Sequence, residues 1–543
     1  MDKRIKDPIY GYITIPNDII NQIIDTPEFQ RLRGVIQTSY SSVYPSTLHN
    51  RFVHSIGVYH LGKHVSETLE MQLADDIDYI SNICRHFQIA CLLHDVGHAP
   101  FSHTGEAFYL KGNDREELHE KLAELTNDDV LLEEIKNNGY KAAPHEIMSA
   151  IIGLEVYGDV IETDERSFFA RCITGYKYTA ESSDEKEIRN CFIEMLNSNI
   201  LDVDKLDYLM RDSFMSGFDS STIDYSRLLD SIRIENVSEK FEIVFSKSAL
   251  SVVENVVFAH DFERKWIQSH PAVLYDSFLL KRVFEDIIEK HFGEQICLPR
   301  ELLSQTGSEV EGIGRVRLIA DADILFIMKN FEHNETVEEY FDRRKRKHPL
   351  WKTESEYHAI FGNNKELLDN LYDLLKELDK SQRMGYIRIN SYVKDTIIAE
   401  SEELKNAIKA ETYEKKQLEY SLRIKENQKK LVEIFEKFSI NSGIPFEHVI
   451  IFADQFNSGF KKSEFGNMNF ILPTTDTPCK FMDISNVLKQ EDSVGEKFFF
   501  IFCDRSENDI MPEFSSFVER LVRLVGYVLS DSYARSAGGR IRN

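Results

Sequence analysis

Cysteine is sparse and unpatterned: the seven cysteines of this 543-residue chain form no CxxC pair, and their number is odd. Neither a thiolate zinc site nor a disulfide framework has support, and a reduced, cytoplasmic chain is expected. Long apolar runs are missing as well. No stretch reaches the roughly 18 residues that a membrane helix needs, so no membrane contact is expected. The opening MDKRIKDPIYGYITIP has no apolar core followed by a cleavage site, which argues against a secretory signal. Positive charge is in deficit. With 65 Lys and Arg against 91 Asp and Glu, the formal net charge is -26. This disfavours attraction to nucleic acid through the whole surface. A local basic groove stays open. So does an anionic substrate, if a metal ion and a few cations line its site.

What is present is an ordinary globular composition, 42% hydrophobic and 29% charged. The length allows two or three domains. Residues 1–60 read as short strands or loops followed by a helix, with Asp25-Thr26-Pro27-Glu28 supplying a capping side chain and a first-turn proline. Apolar residues at three- and four-residue steps, as in NICRHFQIACLLHD, make the chain mainly helical to about residue 290. A charged stretch containing DRRKRKHP follows. Next comes a Glu/Lys-rich segment, about 395–438, which reads as an amphipathic helix or a helical hairpin. From about 440, HVIIFAD, MNFILP and KFFFIFCD predict strands, and FSSFVERLVRLVGYVL a helix. The expected division is 1–330, 331–440 and 441–543: a mainly α core, a charged helical extension and a small C-terminal α/β lobe.

The chemistry-bearing residues are His54 in HNRFVHSIGV, His94 and Asp95 in CLLHDVGHAPFSHTGEAF, and Asp204 in LDVDKLDYLMRD. Two imidazoles and two carboxylates suit one divalent transition metal: Mn, Fe, Co, Ni or Zn. Four protein ligands leave a six-coordinate ion with room for water and a phosphoryl oxygen, and such an ion acidifies water and polarises phosphorus. Neighbours on a regular helix diverge by about 100°. His94 and Asp95 can therefore reach one ion only at a helix end, and Gly97 and Pro100 supply the break. Downstream, His103 and Glu106 are three apart and can meet on one helix face. A carboxylate behind an imidazole fixes its tautomer and raises its pKa, which suits His103 to general-acid work. Arg51, three residues before His54, can face the same cleft and suits bidentate phosphate contact.

The ordered set TPEFQRLR, HNRFVHS, HDVGHAPFSH and DVDKLDYLMRD resembles the HD superfamily over roughly residues 5–290, and within it the deoxynucleoside triphosphate triphosphohydrolases. The resemblance implies an HD-domain helical core and a metal on His54, His94, Asp95 and Asp204. It implies acid–base roles for His103 with Glu106, for His98 near the α-phosphate and for His145. Each of these three histidines also has a plain supporting or capping alternative. The resemblance further implies substrate contacts from Arg51, Gln37, Lys205, Tyr208, Asp212 and Gln268. Asp25, Gln30 and Arg33 match an allosteric nucleotide site, although an N-cap at Asp25 and a salt bridge at Arg33 explain them equally simply. The C-terminal lobe faintly resembles that of the animal sterile-alpha-motif/HD enzymes, and no sterile-alpha-motif is expected before the HD segment.

Three departures stand out. The family's His-Arg-Arg-x-Tyr-Gln motif answers here to Glu263-Arg264-Lys265-Trp266-Ile267-Gln268, with Glu263 and Ile267 in place of the His and Tyr. Asp261 stands where an allosteric arginine is expected, and Thr38 replaces an apolar residue beside Gln37. The leading expectation is metal-dependent hydrolysis of (deoxy)nucleoside triphosphates to nucleoside and tripolyphosphate. Mg would accompany the substrate triphosphate, and a homo-oligomer, dimer or tetramer, is expected. The alternative is an HD-type phosphodiesterase or nuclease acting on single-stranded nucleic acid or oligonucleotides, favoured by the altered Glu263–Gln268 segment and the basic run Arg343 to His348. A nucleotide-sensing scaffold with a degenerate site is the third reading, and the intact ligand set argues against it.

Overall fold

The computed structural model describes residues 2–38, 43–74, 77–106, 114–180, 183–218, 222–292, 300–331, 334–362, 364–376, 378, 387–388, 391–410, 415–452, 462–473, 477–489, 498–504 and 511–538. Packing gathers the chain into two compact units. One comprises Met1–Gln268, Leu279–Val337 and Gly459–Asp492; the other comprises Ser269–Phe278, Glu338–Ser458 and Ser493–Asn543. The expected lobe 441–543 contributes to both.

The first unit is built on helices, as their apolar spacing requires. Arg51–Leu73 starts at Asn50, whose side chain accepts the Val53 N–H at 3.2 Å. This helix packs along Ile80–Leu93 and against Val203–Ser216. Both approaches are close. A Cβ on Gly57 would collide with the side chains of Asp207 and Arg211, and one on Gly62 would collide with Cys91. On Ile80–Leu93 the predicted face is buried: Ile83, Phe87, Ala90 and Cys91. The helix stops at His94, where the Gly97 and Pro100 breaker was expected.

The segment after it is held in an unusual backbone. Phe101 and Ser102 adopt φ of 58° and 51°, a left-handed region that side chains other than glycine rarely enter. Two contacts hold it there: the Phe101 N–H donates to Asp321 at 2.7 Å, and the Ser102 hydroxyl donates to the Ile36 carbonyl at 2.5 Å. The chain then turns into the short helix His103–Glu106. Near the N-terminus, Pro27–Arg31 forms the expected helix, but its N-cap is Thr26 rather than Asp25, and no side chain caps it.

Strands flank the helices. In the first unit Ile232–Val237 and Lys240–Ser246 form a hairpin; Asn469–Ile471 runs parallel to the second of these, and Cys479–Lys480 lies beyond. In the second unit His348–Pro349, Phe500–Cys503, Ile450–Phe452 and Ile387–Arg388 form an antiparallel sheet in that order. Trp351 anchors that unit's core, its indole N–H donating to the Phe499 carbonyl at 2.7 Å. The Glu/Lys-rich segment is a helical hairpin. Ser391–Ala410 and Lys415–Ser442 run antiparallel, with Lys394 on Glu436 at 2.7 Å and Lys425 on Glu400 at 2.6 Å.

The basic run is matched by acids: Arg344 meets Asp342 at 2.8 Å, Lys345 meets Glu338 at 2.5 Å, Arg346 meets Asp276 at 2.5 Å and Lys347 meets Glu339 at 3.3 Å. The described cysteines are free thiols, and Cys297 lies outside the described residues. No helix among the described residues is long and apolar enough to cross a membrane.

Glycine at 57 is what allows the Asp207 side chain to lie against the Arg51–Leu73 helix. Gly57→Ala should lower the unfolding free energy by about 1–3 kcal/mol through overpacking, read from denaturant melts. An unchanged midpoint would show that the two helices can separate without cost.

Candidate functional site

The long helix presents His54, and the end of Ile80–Leu93 presents His94. Asp204 comes from the first turn of Val203–Ser216, a helix capped by Asp202, which accepts the Lys205 N–H at 2.7 Å. Donor atoms of His54, His94 and Asp204 converge: His54 Nε2 lies 3.3 Å from His94 Nε2 and 2.9 Å from Asp204 Oδ1, and His94 Nε2 lies 3.7 Å from that oxygen. Asp95 adds its two oxygens at 3.5 Å from His54 and 3.4 Å from His94.

The outer ring nitrogens decide the protonation. His54 Nδ1 donates to Asp207 Oδ2 at 2.7 Å, and His94 Nδ1 donates to the Cys91 carbonyl at 2.9 Å. In the neutral rings both Nε2 atoms therefore carry lone pairs, aimed at each other and at two carboxylates. That donor set fits a divalent transition cation. The same field acts on a proton. Burial alone would lower the His54 pKa, but its bonds to Asp204 and Asp207, with the charge of Asp95, raise it to about 9. Asp95 is held well below the usual carboxylate range: burial pushes it up, and Arg51, His94 and His98 outweigh that.

A second group lies beside the first. Glu106 is its hub. Oε1 stands 2.8 Å from His103 Nδ1 and 3.1 Å from His98 Nδ1, and Oε2 stands 3.0 Å from His145 Nδ1. His98 Nε2 reaches Asp95 Oδ1 at 3.1 Å, linking the two groups. The His98 and His145 rings stack with centroids 4.2 Å apart. Their charge states differ. Burial and the nearby Arg51 charge push His98 down to about 4, so it is neutral at neutral pH. Burial lowers His145 too, but the Glu106 carboxylate outweighs it and raises His145 to about 9. The His103 side chain is 70% exposed, at the open side of the cluster.

The expected substrate residues are placed as follows. Arg51 is buried, with Nη1 on Asp95 at 2.7 Å, Nε on the Ser102 hydroxyl at 2.9 Å and Nη2 on the Gln37 carbonyl at 3.3 Å. It steadies Asp95 and is already engaged before any phosphate arrives. Lys205 reaches Asp202 and the Ser198 carbonyl, both at 2.5 Å. The Tyr208 hydroxyl lies 3.3 Å from His260 Nε2. Asp212 accepts a hydrogen bond from His49 Nε2 at 2.7 Å, and Gln268 donates to Glu263 at 3.0 Å. Of the three allosteric candidates, Gln30 and Arg33 bond each other at 2.8 Å, with the Arg33 guanidinium 3.6 Å over the Phe52 ring. Asp25 pairs instead with Lys3 at 3.7 Å. Sequence reading missed His49, Asp321 and the orienting role of Asp207. Only Asp207 left a trace, three residues after Asp204 in DVDKLD.

A cation entering this centre must displace the His54 proton. Below about pH 9 its affinity should fall by about tenfold per unit as pH drops. Calorimetry in buffers of different ionisation enthalpy should count close to one proton released. Affinity that stays flat between roughly pH 6 and 8 would place the cation elsewhere.

The HD domain family profile matches residues 51–181, the span that holds His54, His94, Asp95 and the Glu106 cluster. The deoxynucleoside triphosphate triphosphohydrolase SAMHD1 of Xenopus laevis is 33% identical over 251 residues, 44% of this chain and 38% of that protein. The human protein of that name is 31% identical over 252 residues, 44% and 37% of the two chains. An uncharacterized protein of Mycoplasma pneumoniae is 28% identical over 312 residues, 54% and 65%. Each match spans less than two thirds of the relative's own length. The crystal structure of a hypothetical protein from Aquifex aeolicus aligns with TM-score 0.53 at 18% identity over 95% of this chain and 100% of that one, a likeness of fold alone. The chain thus carries an HD domain over residues 51–181, and over a wider segment it is similar to proteins named deoxynucleoside triphosphate triphosphohydrolases.

Proposed function

We propose that the protein is a metal-dependent phosphohydrolase that cleaves (deoxy)nucleoside triphosphates to nucleoside and tripolyphosphate. The observation that carries the proposal is the juxtaposition of a cation-ready donor set with a carboxylate-backed histidine cluster, linked by the His98–Asp95 contact at 3.1 Å. A divalent ion on His54, His94, Asp95 and Asp204 would polarise the α-phosphoryl group and acidify the attacking water.

The chain's own groups do the rest. Water adds to the α-phosphorus and releases a proton to solvent, the bond from phosphorus to the 5′ oxygen breaks, and that oxygen takes up a proton. His103 supplies it. Glu106 Oε1 stands 2.8 Å from His103 Nδ1, which leaves Nε2 as the donor, and the exposed ring regains its proton from solvent. His145, held protonated, and Lys205 place positive charge near the phosphates, while neutral His98 orients Asp95. The triphosphate substrate itself rests on the SAMHD1 relatives. The competing nuclease reading drew on the altered segment Glu263–Gln268 and on the run Arg343 to His348, and the acids paired along that run weaken the second of these supports.

The test is a product assay with metal-loaded protein given each dNTP and NTP and, separately, single-stranded DNA and RNA. Tripolyphosphate and nucleoside should appear, and Asp204→Ala should abolish both. His103→Ala should lower kcat by about a hundredfold to ten-thousandfold. Glu106→Gln removes the carboxylate that faces His103 Nδ1 and should also lower kcat, by less than His103→Ala does. Shortened strands with untouched triphosphates would establish the nuclease instead.

A further inference from the structure

Between Asp95 and His103 the chain passes through the left-handed turn at Phe101 and Ser102, a backbone that such residues leave unless something holds it. The turn bears directly on His103. The Phe101 carbonyl accepts from the Thr104 N–H at 3.1 Å, and the Ser102 carbonyl accepts from the Gly105 N–H at 2.9 Å. The turn therefore starts the short helix that carries His103 and Glu106. The fit is close: a Cβ on Gly105 would collide with the Pro100 carbonyl.

The hold comes from one remote segment. Asp321 opens the helix Asp321–Lys329, lies outside the span matched by the HD profile and is 5% exposed. Its Oδ1 accepts from the Phe101 N–H at 2.7 Å, and its Oδ2 accepts from the Ile36 N–H at 2.9 Å. The two bonds close a ring of contacts, because the Ile36 carbonyl accepts from the Ser102 hydroxyl, which in turn accepts from Arg51 Nε at 2.9 Å. Two residues before Asp321, the Ile319 carbonyl accepts from Arg31 Nη1 at 3.0 Å, and Arg31 Nη2 donates to the Val96 and His98 carbonyls, both at 2.9 Å. Ala320 sits against Gly34, where a Cβ would lie 2.8 Å from the Ala320 Cβ. Residues 319–321 thus brace the connection from His94 to His103 at both ends: through Arg31 near the ligands, and through Asp321 near the acid. Burial pushes the Asp321 carboxyl up, the two amides and the charges of Arg31 and Arg51 limit the rise to about 6, and at neutral pH both oxygens accept.

We infer that Asp321 is a positioning residue for His103: by accepting the Phe101 and Ile36 N–H groups on one carboxylate, it fixes the turn from which the acid projects. The part played by His103 rests on the triphosphohydrolase reading; the grip of Asp321 on the turn does not. Loss of either bond lets the turn relax toward ordinary backbone, and His103 moves with it. Asp95 stays in place, because Arg51 holds its Oδ2 at 2.7 Å and Arg31 holds the carbonyls that follow it.

Asparagine keeps the shape of Asp321 but offers one accepting oxygen, and its NH2 group would face a donor, so one of the two N–H groups loses its partner. The experiment places Asp321→Asn in the wild type and in His103→Ala, and measures kcat of the metal-loaded proteins on dGTP and dATP. In the wild type the substitution should lower kcat by about ten- to a hundredfold, the scale of a misplaced catalytic group. In His103→Ala it should cost almost nothing more, because the group it positions is gone. The same loss in both backgrounds would show a merely structural role and overturn the inference, as would an Asp321→Asn protein with unchanged kcat. Hydrogen exchange of the Phe101 amide, measured without substrate, is the second readout. It should be slow in wild type and about tenfold faster in Asp321→Asn. Fast exchange in wild type would overturn the inference whether or not the variant folds. A wild type with slow exchange that hydrolyses neither triphosphate would defeat the hydrolase reading, and the catalytic role of Asp321 with it, and leave Asp321 holding the turn.

Discussion

Asp207 is fully buried and accepts four hydrogen bonds: from the Tyr10 hydroxyl at 2.7 Å, from Arg211 Nη2 at 2.9 Å and Nε at 2.8 Å, and from His54 Nδ1 at 2.7 Å. A carboxylate can sit there only because every lone pair is used and a guanidinium balances the charge. Arg211 in turn reaches Asp7 at 3.0 Å. One anion thus ties the N-terminal hairpin of strands Lys3–Asp7 and Gly11–Ile15, the Arg51–Leu73 helix and the Val203–Ser216 helix to one imidazole. It fixes which His54 nitrogen holds a proton and therefore which one faces the cation. Gly57 is small because this carboxylate lies against it.

The electrostatics of the site are local and run against the bulk charge. A chain of net charge -26 has no general attraction for a triphosphate. The acids of the centre do not simply repel anions, however. Asp95 and Asp207 are neutralised by Arg51 and Arg211, and Glu106 is surrounded by imidazoles. Asp204 is the partly exposed one, with a side chain 36% accessible beside His54 and His94. Once the His54 proton is displaced, the negative charge of Asp204 faces the position a cation would take, and His145 carries imidazolium charge in the Glu106 cluster next to it.

Much of this was legible in the sequence, because the reacting groups lie in short segments with fixed spacing. The break after His94 and the His103–Glu106 pairing follow from local rules. What was not legible is long-range. Asp321 supports the strained Phe101–Ser102 turn from more than two hundred residues away, and nothing near it in sequence announces that partner. His49, just before the Arg51–Leu73 helix, meets Asp212 only because that helix packs against Val203–Ser216. The strand at Asn469–Ile471 reads locally as part of a C-terminal lobe, yet its hydrogen bonds go to Lys240–Ser246. Strand propensity gives the strand and says nothing of its partner. The Asp25 cap failed for a smaller reason: Asp25 is one residue too early, and Thr26 takes the N-cap position.

Anomalous diffraction from manganese-loaded crystals, measured at the metal edge, addresses the central claim most directly. One peak bounded by His54 Nε2, His94 Nε2, Asp95 and Asp204, with Asp207 still on His54 Nδ1, is the predicted result. A peak among His98, His103, Glu106 and His145, with none at the first group, would contradict the account, because those side chains would then be ligands and not the acid–base apparatus.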